Sequence, residues 1–222
     1  MRVGFMLDGN LQALKMLSRT PQVEEGGVLL LGFDALGEVS YEKELKGESM
    51  YFEEIALLSK RLKNVVICGC ITNTRGLKRK SAIVAENGKI LGVSDMLNTW
   101  DGEKNCGAAL RVYETKMGKI GVVVAEDLYF PETVKALSLC GANYIVCPFE
   151  RLTSSIQSVL LRSYAFCYGT PIFLCARGYG IIANGAGDIV FATPQSPAYF
   201  DFVNATEYHV LQTRRRFCRP PV

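Results

Sequence analysis

The stretch GKIGVVVAEDLYFPE, residues 118–132, decides how this chain is read. Ile120 to Val124 is an apolar strand, the chain then turns abruptly, and Pro131 opens a helix, where its missing N–H would be unpaired in any case. A strand, a sharp elbow and a helix are the shape of an active-site segment. At the apex stands Ala125, whose methyl group can neither attack a substrate nor carry a proton.

Outward from this elbow the chain alternates strands and helices. The helix from Pro131 is expected to run to about Cys140 and end at Gly141, followed by a strand from Tyr144 to Cys147. A long amphipathic helix is predicted over Ser154–Tyr168, with strands at 172–175, 181–183, 189–192 and 199–203. Upstream, strands are expected at 3–7, 28–31 and 65–71, with a short helix through Leu14 and Met16. Phe52, Ile55, Leu58 and Leu62 recur at three- and four-residue spacing, which predicts an amphipathic helix over 50–62. Asn87-Gly88 between 82–85 and 90–93 marks a hairpin, because both residues tolerate the positive φ of a tight turn. Ser94 to Gly107 reads as irregular, and strands follow at 110–113 and 120–124. Hairpins inserted among β-α-β units leave one sheet face uncovered by helices. A second sheet must bury it, which predicts a four-layer α/β/β/α sandwich. Regular alternation with helices on both faces of one sheet is the alternative.

Composition sets outer bounds. A chain of 222 residues, 49% hydrophobic and 21% charged, fits one large domain, here 1–222 with a C-terminal tail from about 204. A net charge of +3 does not imply a nucleic-acid partner. Arg214-Arg215-Arg216 with Arg219 reads as a solvated terminal face or an interface arm. The eight cysteines show no tight metal spacing and sit mostly in apolar stretches, where a free thiol behaves as a small hydrophobe. Cys68 and Cys70 are placed on opposite faces of their strand. Without a leader-like start or a stretch of eighteen apolar residues, a cytoplasmic, reduced protein with no membrane span, metal or cofactor is expected.

The quoted segment, with Leu139-Cys140-Gly141-Ala142 and the strand to Pro148, resembles the core of the nitrilase, or carbon–nitrogen hydrolase, superfamily. The hairpin Glu86 to Gly92 and the helix segment Tyr164 to Pro171 resemble further family segments, so the likeness covers nearly the whole chain. The resemblance implies an α/β/β/α sandwich, commonly dimeric, that hydrolyses non-peptide C–N bonds through an acyl-enzyme. Such chemistry uses a cysteine nucleophile, a glutamate base and a lysine that stabilises developing charge. Carried onto this chain, the cysteine falls on Ala125, the lysine on Met96 and the glutamate on Phe33, with Asp34 one residue away. The sequence is short for the family between Arg177 and Tyr179, where a pocket-wall loop is expected, and Cys167-Tyr168 replaces an acid and an amide.

The resemblance with these departures implies a non-catalytic, nitrilase-like pseudoenzyme that binds a small molecule, assembles or regulates. The alternative is an amidase-like hydrolase of altered, non-cysteine mechanism. Candidate ligand-binding residues are Glu126, Asp34 and Asp127. Glu126, beside the missing nucleophile, can bind a cation or activate water, or else be satisfied by backbone N–H groups or an arginine. Asp127 is expected to hydrogen-bond structurally at the helix start. Cys147 and Cys106 are weighed as relocated thiols, with packing favoured for Cys147. His209 reads as a surface or interface residue, and Asn184-Gly185-Ala186-Gly187 as a hairpin turn. A homodimer is expected, in contact through the helices at 131 and 154.

Overall fold

The computed structural model describes residues 1–8, 26–98 and 107–203. The expected helix through Leu14 and Met16, Cys106, His209, the arginine run and the tail from 204 lie outside these residues.

Apolar alternation builds two mixed sheets. In the first, β1 (Arg2–Met6), β2 (Gly27–Leu31) and β4 (Val65–Thr74) run parallel. The hairpin β5 (Leu77–Glu86) and β6 (Lys89–Asp95) extends one side, β13 (Ala198–Asp201) closes the other, and the short β3 (Glu38–Ser40) pairs with the far end of β4. In the second, β8 (Gly118–Val122), β9 (Tyr144–Pro148) and β10 (Ile172–Ala176) run parallel, flanked by β7 (Val112–Thr115) and by β11 (Tyr179–Ala183) and β12 (Ile189–Thr193).

The period of two assigns each strand residue to a layer. Val3, Phe5, Val28, Leu30, Val65, Ile67, Ala82 and Val84 meet Ile120, Val122, Val146 and Phe173 in one core between the sheets. Their neighbours Leu29, Leu31, Val66, Cys68, Cys70 and Ile83 form an outer core with Ile55, Leu58 and Leu62 of the helix α2 (Tyr51–Leu62). On the far side, Ile145, Cys147, Ile172 and Leu174 pack under Val134 and Leu137 of α3 (Pro131–Leu139) and Leu161 and Ala165 of α4 (Ile156–Tyr168). The molecule is therefore the α/β/β/α sandwich, and the single-sheet alternative fails because the inner sheet faces bury each other. Cys68 and Cys70 share the outer face, correcting their expected opposition: residues two apart on a strand point the same way.

One short helix escaped the sequence reading. In α1 (Tyr41–Lys46) all residues are polar or half-exposed except Leu45, so no apolar stripe marks it. It is defined by its ends: Ser40 caps it by accepting from the Lys43 N–H, and Gly47 terminates it at φ 71°. The Glu44 carboxylate then accepts the Tyr51 and Phe52 N–H groups and starts α2.

Candidate functional site

The elbow after β8 has the predicted form. Val124 is extended, Ala125 to Tyr129 make one 3-10 turn, and α3 begins at Pro131. Ala125 is fully buried and holds φ at 48°, the left-handed region, although it is not glycine. A Cβ there costs of order 1–3 kcal/mol unless the surroundings enforce it. Phe33, in a 3-10 turn after β2, and Met96, after β6, belong to the same buried inter-sheet cluster as Ala125. Phe33 lies flat against β4: a Cβ built on Gly69 would stand 2.8 Å from its ring. Met96 is pinned by its backbone, donating to the Lys80 carbonyl at 2.8 Å and accepting from Gly107 at 2.7 Å. The interior below the elbow is thus filled with hydrocarbon.

Beside it opens a cleft of about 330 Å³, whose lining includes Asp34, Glu126, Tyr129, Phe149, Arg151 and Arg177. Two of the three candidate residues therefore meet here. Of the alternatives left open for Glu126, backbone N–H groups and arginine are not its partners; one of its oxygens is engaged by a lysine. Lys80 Nζ donates to Glu126 Oε1 at 2.6 Å and to Glu150 Oε2 at 2.8 Å. Burial opposes the charge on Lys80, but these two carboxylates outweigh it and raise its pKa above the ordinary lysine value. A raised folded-state pKa gives stability that is fully present below the unfolded value and is lost only as pH rises through the folded one. Lys80 therefore stays an ammonium at neutral pH and is no nucleophile.

Asp34 faces the cleft but is engaged by Arg177 through both carboxylate oxygens. Arg177 sits in the two-residue turn joining β10 to β11. Its backbone N–H also donates to the Glu150 carbonyl at 3.0 Å, tying the rim together.

Asp127 is turned away from the cleft. It is 1% exposed, and it accepts from the Leu97 N–H, the Asn98 N–H and Asn98 Nδ2 at 2.8–3.1 Å. Its carboxylate ties down the strand-exit segment at 97–98 rather than the start of α3, which has no side-chain cap. Burial raises its pKa, against the lowering effect of these donors. Cys147 is fully buried and burial pushes its thiol well up, which makes it packing material. Asn184 to Asp188 turn β11 into β12 as read. Among the described residues no group of three or more His, Cys, Asp or Glu is arranged to hold a metal ion. No helix among them is long and apolar enough to cross a membrane.

Lys80, Glu150 and Arg177 were not singled out from sequence. They come from β5, the exit of β9 and the β10–β11 turn, and Lys80 lies 46 residues from Glu126. The available signal was the half-exposed start of β5 before its buried run.

Sheet order, elbow and layers define a nitrilase-type sandwich, and the sequence comparison agrees. The carbon-nitrogen hydrolase family profile matches residues 7–195, and the chain belongs to that family. A probable nitrilase of Schizosaccharomyces pombe is 28% identical over 99 residues, which is 42% of this chain and 36% of that protein. This chain thus aligns with about a third of that relative's length. Among solved structures, Nit3 of Saccharomyces cerevisiae, a nitrilase superfamily member, superposes with a TM-score of 0.73 at 17% identity, over 90% of this chain and 88% of that one. A variant of the amidase from Nesterenkonia sp. AN1, with acrylamide added to its active-site cysteine, gives 0.73 at 16% identity over 98% of both chains. The carbon-nitrogen hydrolase of Helicobacter pylori G27 gives 0.69 at 17% identity, over 90% of this chain and 88% of that one. At these identities the structures speak for the fold.

Proposed function

We propose that this chain is a non-catalytic member of the carbon-nitrogen hydrolase family whose rim cleft binds a small molecule. The observation that carries this reading is Ala125: a buried methyl group at the apex of an elbow that keeps its strained backbone. The family resemblance puts the nucleophile, lysine and base roles on Ala125, Met96 and Phe33, and uncharged, apolar side chains at all three positions support loss of the covalent reaction. Incubation with simple amides and nitriles is expected to give no ammonia above background and no acyl adduct by intact-mass measurement. Turnover with an adduct on Cys106 or Cys147 would overturn this reading.

A second reading rests on Glu126, which faces the cleft beside the elbow: hydrolysis of a C–N bond by water that this carboxylate activates. It requires ammonia release without any adduct, abolished by Glu126→Gln.

Assembly belongs to the same proposal. Ile156, Val159 and Phe166 of α4 are 46%, 51% and 55% exposed and share one stripe, with Leu139 at the end of the adjacent α3. The family's habit of pairing through these helices assigns the stripe to a second copy. Native mass spectrometry is expected to show a dimer, shifted toward monomer by Phe166→Glu at micromolar concentration. An unchanged distribution places the contact elsewhere.

A further inference from the structure

Glu126 Oε1 receives Lys80, whereas Glu126 Oε2 is shielded from solvent and has no hydrogen-bond partner among the described residues. A carboxylate oxygen in that position needs a donor, since leaving it unmet costs about 1–3 kcal/mol or more. Two of the cations at the cleft are already committed. Lys80 is shared by Glu126 and Glu150, and Arg177 is held by Asp34. Counting unit charges, the cluster of Lys80 with Glu126 and Glu150 carries one negative charge, Asp34 and Arg177 cancel, and Arg151 balances the cleft as a whole. Beside this cluster stand Tyr129 and Phe149, in edge-to-face contact at 6.1 Å. Gln157 Nε2 donates to the Tyr129 hydroxyl at 2.7 Å and fixes the ring. A locally negative carboxylate cluster, an acceptor without a partner and an aromatic wall together favour a compact cationic donor at this end of the cleft.

Resting on the reading of the cleft as a binding site, we infer that it takes a protonated primary amine, whose ammonium pairs with the Glu126 carboxylate beside the ring of Tyr129. The same ammonium is carried by a simple alkylamine and by an amino acid. Arg151, an exposed lining residue in none of the described ion pairs, distinguishes these two sources, because only the amino acid offers it a carboxylate.

The test is isothermal titration at pH 7.5 on the full chain with n-butylamine, 4-aminobutanoate, butyrate and n-butanol. Saturable binding is expected for n-butylamine, for 4-aminobutanoate or for both, with neither butyrate nor n-butanol binding. Glu126→Gln, which keeps shape and removes charge, is expected to weaken amine binding about tenfold or more, the effect of one charge-assisted hydrogen bond. If 4-aminobutanoate binds more tightly than n-butylamine and Arg151→Gln erases the difference, the amino acid is the source; if n-butylamine binds at least as tightly and Arg151→Gln changes nothing, it is the simple amine. Equal binding of n-butanol, amine binding unchanged in Glu126→Gln, or no saturation by any amine up to about 20 mM, a free energy near 2 kcal/mol, overturns the inference. Circular dichroism of the variants verifies folding. Failure here leaves the ammonia and adduct measurements untouched, so the non-catalytic reading stands or falls separately.

Discussion

Phe33→Ala is expected to destabilise the protein by about 3–5 kcal/mol, the range for removing a buried aromatic ring. The ring is 6% exposed and fills the inter-sheet core directly over Gly69, whose Cβ, if present, would stand 2.8 Å from it. Gly69→Ala alone should therefore cost about 1–3 kcal/mol through overpacking. In the Phe33→Ala background the same methyl group enters the vacated space, and its cost should fall by about 1 kcal/mol or more. Equilibrium denaturation of the two single variants and the double variant measures this coupling. Additivity to within about 0.5 kcal/mol would show that ring and glycine do not constrain each other. The outcome bears on function because Phe33 stands where the family resemblance puts a general base. A ring whose removal costs this much is committed to the core.

Asp127→Ala should cost about 2–4 kcal/mol, because it strands the N–H groups of Leu97 and Asn98 and the Asn98 side-chain amide. Hydrogen exchange at Leu97 and Asn98 should accelerate well beyond the rest of the sheet edge. The pH dependence has a definite sign. Burial raises the folded-state pKa of Asp127 above its unfolded value, so between the two the folded protein binds more protons. Stability contributed by this group then rises as pH falls through the folded pKa, and levels off below the ordinary carboxylate range near pH ~4. The gap between wild type and Asp127→Ala should therefore widen on mild acidification. A gap that narrows would mean that the donors, not burial, dominate the carboxylate.

The layered fold was legible because it rests on local patterns. The strand and elbow of 118–132, the Asn87-Gly88 turn and the stripe of Ile55, Leu58 and Leu62 each declare their structure within a few residues. The misses have equally local causes. Helix α1 is too short and too polar to show a period, and its capping by Ser40 and Gly47 is visible only once its place is known. The site was half legible. Glu126 and Asp34 were found because they flank positions with a family role, but their partners arrive from remote segments: Lys80 from β5 and Arg177 from 143 residues beyond Asp34. Charge pairing between distant strands leaves no periodic trace. For the same reason the hydrogen bonds of Asp127 are expected from sequence at the wrong element, since its donors lie 29 and 30 residues upstream.

Ala125 separates two things that an enzyme's elbow normally joins, the shape of the chain and the reagent mounted on it. The left-handed backbone at 125 persists under a methyl group, so the surrounding sheets, not a reacting side chain, enforce it. For protein engineering this makes the position a ready socket. A cysteine or serine placed there inherits a bent main chain and adds no new backbone strain. What such a variant still lacks is chemical support, because the neighbours in its cluster are a phenyl ring and a thioether.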